Sequence, residues 1–197
     1  MRKRLLTGCF LLSLTACTFA PKDTGRAYMF ALSPALMTRH APVNTSLIVS
    51  LPTAAPELDT YRIALTRDSK QWDYYAGARW SDFLPLLVQD SLTKTLEEAR
   101  LFKAVTTDQA GVDGDQTLKA EIRTFQAEYT PGYAEPTVKI RIVVSLSKRT
   151  EGTTSGPFEI RGETRAAKNK LPDIQAAFAL AFNDAQKQLV YKLERTF

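Results

Sequence analysis

Histidine, cysteine and long apolar stretches are scarce in this 197-residue chain, and each scarcity removes a class of chemistry. The single histidine, His40, lies in the polar stretch Arg39-His40-Ala41-Pro42 with no nucleophile-elbow pattern nearby. A Ser-His-Asp or Cys-His arrangement needs its imidazole between a nucleophile and an orienting group, so His40 reads as a solvated loop residue. The two cysteines, Cys9 and Cys17, fall within and at the end of an N-terminal apolar leader. Neither is then available for a disulfide, a metal site or a catalytic thiol, and one imidazole alone does not make a zinc site. Glu151 to Gly156 has two glycines but no lysine, unlike a phosphate-cradling P-loop. Asp113-Gly114-Asp115 lacks the third oxygen ligand and closing glutamate of an EF-hand and reads as a turn. Glu97-Glu98 and Glu128/Glu135 give no reason to expect a catalytic carboxylate pair. The expectation is a protein without cofactor or metal and without enzymatic activity. No apolar run reaches the ~20 residues of a membrane-spanning helix.

What is present begins at the N-terminus. Met1-Arg2-Lys3-Arg4 precedes an apolar run from Leu5 to Leu14, followed by Leu14-Thr15-Ala16-Cys17. Basic residues, a short apolar core and a small residue before the cleavage point make a secretory signal peptide. Leu-Thr-Ala-Cys resembles the bacterial lipobox, in which the cysteine is acylated and becomes the first mature residue. Residues 1–16 are thus read as a lipoprotein signal peptide, 17–26 as the lipidated Cys17 with a short tether, and 27–197 as one periplasmic domain. The nine tether residues from Thr18 to Arg26 reach about 30 Å at most, which keeps the domain close to its membrane. The whole chain has 26 Lys+Arg against 21 Asp+Glu, or +5, and a pI near 9.2. Removing the leader takes three bases and no acids, leaving 23 against 21. The basic pI therefore belongs largely to the leader and is no argument for nucleic acid.

The mature chain, in a sequence 44% hydrophobic and 24% charged, is long enough for a substantial core. Ala27 to Leu32, Leu47 to Leu51 and Tyr61 to Leu65 read as short strands. Trp72, Tyr74, Tyr75 and Trp80 form an aromatic cluster that serves either core packing or a partner surface. A helix follows from Ser81 to Arg100, with Ser81 or Asp82 as its cap and Pro85 in its first turn. Phe102 to Thr106 reads as a strand leading out of that helix. Thr117–Tyr129, Val138–Lys148 and Phe158–Lys168 form an antiparallel meander, the first two joined by a type II turn at Pro131-Gly132. On its first strand Leu118, Ala120 and Ile122 set the inner face, so Phe125, Ala127 and Tyr129 fall out of phase. Either a bulge restores the phase or an apolar patch is exposed. A helix from Pro172 to about Arg195 closes the chain, with Ile174, Phe178, Ala181, Phe182, Ala185, Leu189 and Leu193 on one stripe. The expected fold is α+β, an α/β sandwich with a mainly antiparallel sheet packed by two amphipathic helices. The candidate partner surface is Trp72, Tyr74, Tyr75, Trp80, Phe125 and Tyr129.

In order, a lipobox, the strand Ala27-Tyr28-Met29-Phe30-Ala31-Leu32, an apolar strand ending in proline and Tyr61-Arg62-Ile63 come first. The segment Arg79-Trp80-Ser81-Asp82 at a helix start, the meander and the terminal helix follow. This layout resembles the ABC-type transport auxiliary lipoproteins, which accompany MCE-domain lipid transport systems, including the paraquat-inducible type, in Gram-negative envelopes. The resemblance spans essentially the whole mature chain and departs from many relatives in the longer loop from Ser33 to Ser46. It implies a non-enzymatic domain held to the periplasmic face of the outer membrane by acyl chains such as palmitate on Cys17. There it would dock an MCE-domain partner, with a homo-oligomer as a further possibility. Thr18 after the cysteine resembles an outer-membrane address. A second reading is a lipid-binding carrier or insertase that holds acyl chains between sheet and helices. Cys17→Ser is expected to yield soluble or uncleaved protein with its fold intact and its function lost, as read by membrane fractionation, circular dichroism and complementation.

Overall fold

One long strand carries the sheet. The computed structural model describes residues 28–35, 42–68, 71–111, 113–149, 152 and 154–196. The leader, Cys17, the tether, His40 and the middle of the Ser33–Ser46 loop lie outside the described residues. The elements run β1 (Tyr28–Phe30), β2 (Val43–Val49), β3 (Thr53–Ala54), β4 (Arg62–Arg67), β5 (Gln71–Trp80) and α1 (Leu84–Ala99). Then come β6 (Phe102–Thr107), β7 (Gln116–Tyr129), β8 (Thr137–Lys148), β9 (Thr154–Arg165) and α2 (Leu171–Glu194). One edge of β7 pairs antiparallel with β8 from Gln116↔Lys148 to Glu128↔Thr137. Its other edge is shared in succession by three parallel strands: β2 at Gln116–Leu118, β3 at Glu121–Ile122 and β4 at Ala127–Tyr129. The sheet therefore forks, β2 continuing to β6 and β4 continuing through β5 to β1, while β8 continues to β9. The fold is α+β as expected. Its nine strands form one curled, mixed sheet in which the meander and the β4–β5 pair are antiparallel and the remaining pairings are parallel.

The meander follows its sequence pattern closely. Val138, Ile140, Ile142, Val144 and Leu146 are all buried, as alternation on a half-wet sheet requires. In β7 the register shifts by one between Ile122 and Thr124. The extra residue turns Phe125 and Ala127 to the same inner face as Leu118 and Ile122, and all four are buried. Of the two readings left open by the sequence, the bulge is the one that occurs. The Pro131-Gly132 turn also forms: Gly132 has φ +86° and the Tyr133 N–H donates to Thr130 O at 3.2 Å, the geometry of type II.

Both helices pack against the sheet and touch each other. α1 lies against β6 and β2, and α2 against β9 and β8. Neither Ser81 nor Asp82 caps α1. The cap position is Phe83, without a side-chain bond, and Pro85 occupies the first turn. Asp82 instead accepts from the adjacent Phe83 N–H. α2 likewise starts uncapped at Lys170, with proline and Asp173 in its first turn, where the carboxylate favours the helix dipole. The helices are joined by a buried polar clasp. Gln186 Nε2 of α2 donates to Ser91 Oγ at 2.8 Å and Thr95 Oγ1 at 2.9 Å of α1. Thr95 Oγ1 also accepts the Ala35 N–H, drawing the chain after β1 onto α1. No helix among the described residues is long and apolar enough to cross a membrane.

Two residues of the α2–β9 contact have roles that their types do not advertise. Gln188 Oε1 accepts the Arg161 N–H at 3.1 Å and its Nε2 donates to Arg161 O at 2.7 Å. A side-chain amide thus stands in for a neighbouring strand on the otherwise unpaired edge of β9. One residue on, Gly162 lets the helix close in: a Cβ there would sit 1.8 Å from Ala181 O of α2. The obstacle is backbone, so no rotamer change relieves it. Gly162→Ala is expected to force α2 off the sheet and cost about 3 kcal/mol, read as a lowered urea midpoint.

Candidate functional site

The six aromatic residues singled out from the sequence divide into three groups. Trp80 and Phe125 are core, with 1% and 0% of their surfaces exposed, which removes both from the candidate surface. Trp80 sits at the middle of an aromatic cluster, with ring centroids 5.7 Å from Phe30, 5.6 Å from Phe125 and 5.2 Å from Phe178. Phe125 stacks on Phe178 at 5.8 Å and meets Phe182 edge-on at 5.5 Å. Such pairs contribute about 1 kcal/mol each beyond their burial. They join β1, β5, β7 and α2 into one interior.

Tyr75 and Tyr129 form the second group, half-buried at the rim of that interior. The Tyr75 hydroxyl donates to the Tyr129 hydroxyl at 3.1 Å, which donates onward to Asn169 Oδ1 at 2.7 Å. Burial, and then the bond to Tyr129, push the Tyr75 phenol far above its ordinary value, so it stays protonated. This is a structural latch between β5, β7 and the start of α2.

Trp72 and Tyr74 form the third group, on the outer face. The register of β5 against β4 explains the separation. Arg62 pairs with Arg79, yet Ala64 pairs with Tyr74, so β5 spends five residues where β4 spends two. Gly77, at φ +71°, lies in this bulge. Without it Trp72, Tyr74 and Trp80 would share one face, as their even spacing suggests. With it Trp80 turns inward while Trp72 and Tyr74 stay outside, Trp72 46% exposed.

Sequence reasoning missed the companions of these two aromatics. The Arg62 guanidinium lies over the Tyr74 ring, 3.7 Å from its centroid. Arg62 is directly opposite Arg79, and Arg79 directly opposite Met29 of β1. The outer face thus presents Met29, Arg79, Arg62, Tyr74 and Trp72 across three strands. Elsewhere on the outer face several charges are paired: Lys139 with Glu128 at 2.7 Å, Arg141 with Glu159 at 2.8 Å, Arg123 with Glu121 at 3.2 Å. Strand assignment of Gln71–Trp80 was the signal needed, and the aromatic run concealed it. Asp113-Gly114-Asp115 serves as a junction: Asp115 Oδ2 accepts the Ser46 N–H and hydroxyl at 2.8 Å, and Asp113 pairs with Arg149.

The sequence model of a family described as the ABC-type transport auxiliary lipoprotein component matches residues 28–193. The chain belongs to this family. Membership associates the lipoprotein with an ABC-type transport system and with the cell envelope. A solved structure of a Xanthomonas campestris protein of the DUF330 family is 22% identical, with TM-score 0.76, covering 83% of this chain and 93% of that one. A hypothetical Chlamydia trachomatis protein is 8% identical, with TM-score 0.51, covering 77% and 96%. Both show a shared fold. No functionally curated protein matches the lipoprotein. The division of its aromatics is open to direct measurement. Trp80→Ala is expected to cost about 3–5 kcal/mol, whereas Trp72→Ala changes stability by about 0.5 kcal/mol or less, both read by urea denaturation.

Proposed function

We propose that this lipoprotein is held by acylated Cys17 to the periplasmic face of the outer membrane. There it docks the MCE-domain component of an ABC-type lipid transport system and performs no chemistry of its own. The observation that carries this reading is the extent of the family match. It spans residues 28–193, so the transport association attaches to the folded body rather than to an appended segment. The lipobox at Leu14-Thr15-Ala16-Cys17 and Thr18 after it support the address.

The packing of the interior favours docking over carriage. A carrier needs room for an acyl chain between sheet and helices. That space is occupied by Phe30, Trp80, Phe125, Phe178 and Phe182 in mutual ring contact. Interiors packed in this way have few voids larger than water. The concavity of about 500 Å³ near Leu51, Val143 and Pro157 lies on the outside of the sheet, away from that interior, with Lys119, Glu121 and Arg123 also in its lining.

Crosslinking in the native envelope, followed by identification of the adduct, tests the docking role. The expected result is an MCE-domain protein, with raised outer-membrane permeability on deletion of the lipoprotein. No such adduct together with unchanged permeability overturns the reading. Lipid retained stoichiometrically by the purified protein in native mass spectrometry would favour the carrier instead.

A further inference from the structure

Arg62 and Arg79 form a like-charge pair directly across β4 and β5. Like charges directly opposite on neighbouring strands are destabilising. Arg141 and Arg161 are also directly opposite each other, but Glu159 contacts both, at 2.8 and 2.7 Å. Among the described residues no ion pair joins Arg62 or Arg79 to a carboxylate; Met29 lies opposite Arg79, and the Arg62 guanidinium lies over the Tyr74 ring. Two arginines on facing strand positions without counter-charge suit a phosphate. They are flanked by Trp72 and Met29, exposed by 46% and 54%. Tryptophan and tyrosine beside arginine is the side-chain mixture of a membrane–water interface.

The position of this face in the chain identifies its occupant. Met29 belongs to β1, which among the described residues pairs only with β5, and β1 is where the described chain begins. Ten residues separate Cys17 from Tyr28, reaching about 36 Å at most when extended. Arg79 and Arg62 therefore sit one and two strands from the point at which the anchoring segment enters the fold. Tyr28, 40% exposed, lies on the same edge.

We propose that the outer face of β1, β5 and β4, from Met29 across Arg79 and Arg62 to Tyr74 and Trp72, rests on the headgroup layer of the anchoring membrane. Its two arginines engage the phosphates of anionic phospholipid. This rests on the lipid-anchor reading. The lipid fixes the protein to the bilayer and the face fixes its orientation. The edge of β6 and the side bearing α1 and α2 are left for a transport partner.

Trp72 is the natural reporter, because the other tryptophan, Trp80, is 1% exposed. The full-length chain is produced as the lipoprotein and reconstituted into phosphatidylcholine vesicles brominated near the headgroup, with and without phosphatidylglycerol. Flotation reads the anchor and tryptophan quenching reads the face. The expected result is quenching that increases with phosphatidylglycerol and disappears in Trp72→Phe, which retains Trp80. Combining R62E with R79E should lower the docked-to-undocked ratio roughly tenfold or more while flotation is unchanged. Circular dichroism and the urea midpoint report whether that double variant is folded, and Trp72→Phe keeps the test independent of it. Protein that floats with Trp72 unquenched overturns the docking face alone. Quenching insensitive to both phosphatidylglycerol and the arginine reversals overturns the phosphate assignment. Protein that fails to float overturns the anchor and the orientation built on it.

Discussion

A single extra residue in β7 is the constraint on which the rest depends. β7 is the only strand that meets both limbs of the fork and the meander, so its inner face must stay inner along its whole length. Leu118, Ala120 and Ile122 point inward on one phase, Phe125 and Ala127 on the other, and the bulge at Arg123 reconciles them. Were the strand regular, Phe125 would leave the aromatic cluster and the Trp80–Phe178 contact would lose its third side. The bulge also adds twist, which suits a sheet that curls around two helices. Hydrophobic burial drives the assembly, but the residue count between Ile122 and Thr124 decides which residues are buried.

A second bulge, in β5, makes the opposite use of the same device. Where β7 gains a residue to keep apolar groups on one face, β5 gains three and divides its aromatics between two. One part of the divided set completes the core and the other lies beside two arginines with no carboxylate partner among the described residues. The aromatic content of a strand therefore says little about interfaces until its register is known. Trp72 and Trp80 are eight residues apart, an even number, and yet they face opposite ways.

The sequence carried the meander and the terminal helix well, because both are regular. Val138 to Leu146 alternates without interruption, and the stripe from Ile174 to Leu193 keeps helical spacing; in both, burial follows residue type. Helix termini were less legible. Ser81 and Asp82 are good capping residues by type, but Pro85 and the Leu84 N–H bond to Thr60 O set the start at Leu84 instead. The strand Gln71–Trp80 was hidden because its bulge breaks alternation. Gly162 and Gln188 were opaque for another reason: their roles depend on what α2 brings close, and no local pattern encodes that approach. The candidate surface was legible only in part. Its aromatics stood out, while the arginines that complete it are neighbours through pairing and not through sequence.

The clasp of Gln188 on Arg161 governs how this sheet is able to grow. A nine-stranded sheet that does not close has edges, and an uncovered edge recruits any extended chain nearby. On β9 the amide already occupies the donor and acceptor that a visiting strand would use, and the body of α2 lies alongside. β6 and β1 have no such plug among the described contacts. This makes the molecule directional, inert along its meander and receptive at the ends of its fork, so that any ordered stacking of copies would have a head and a tail.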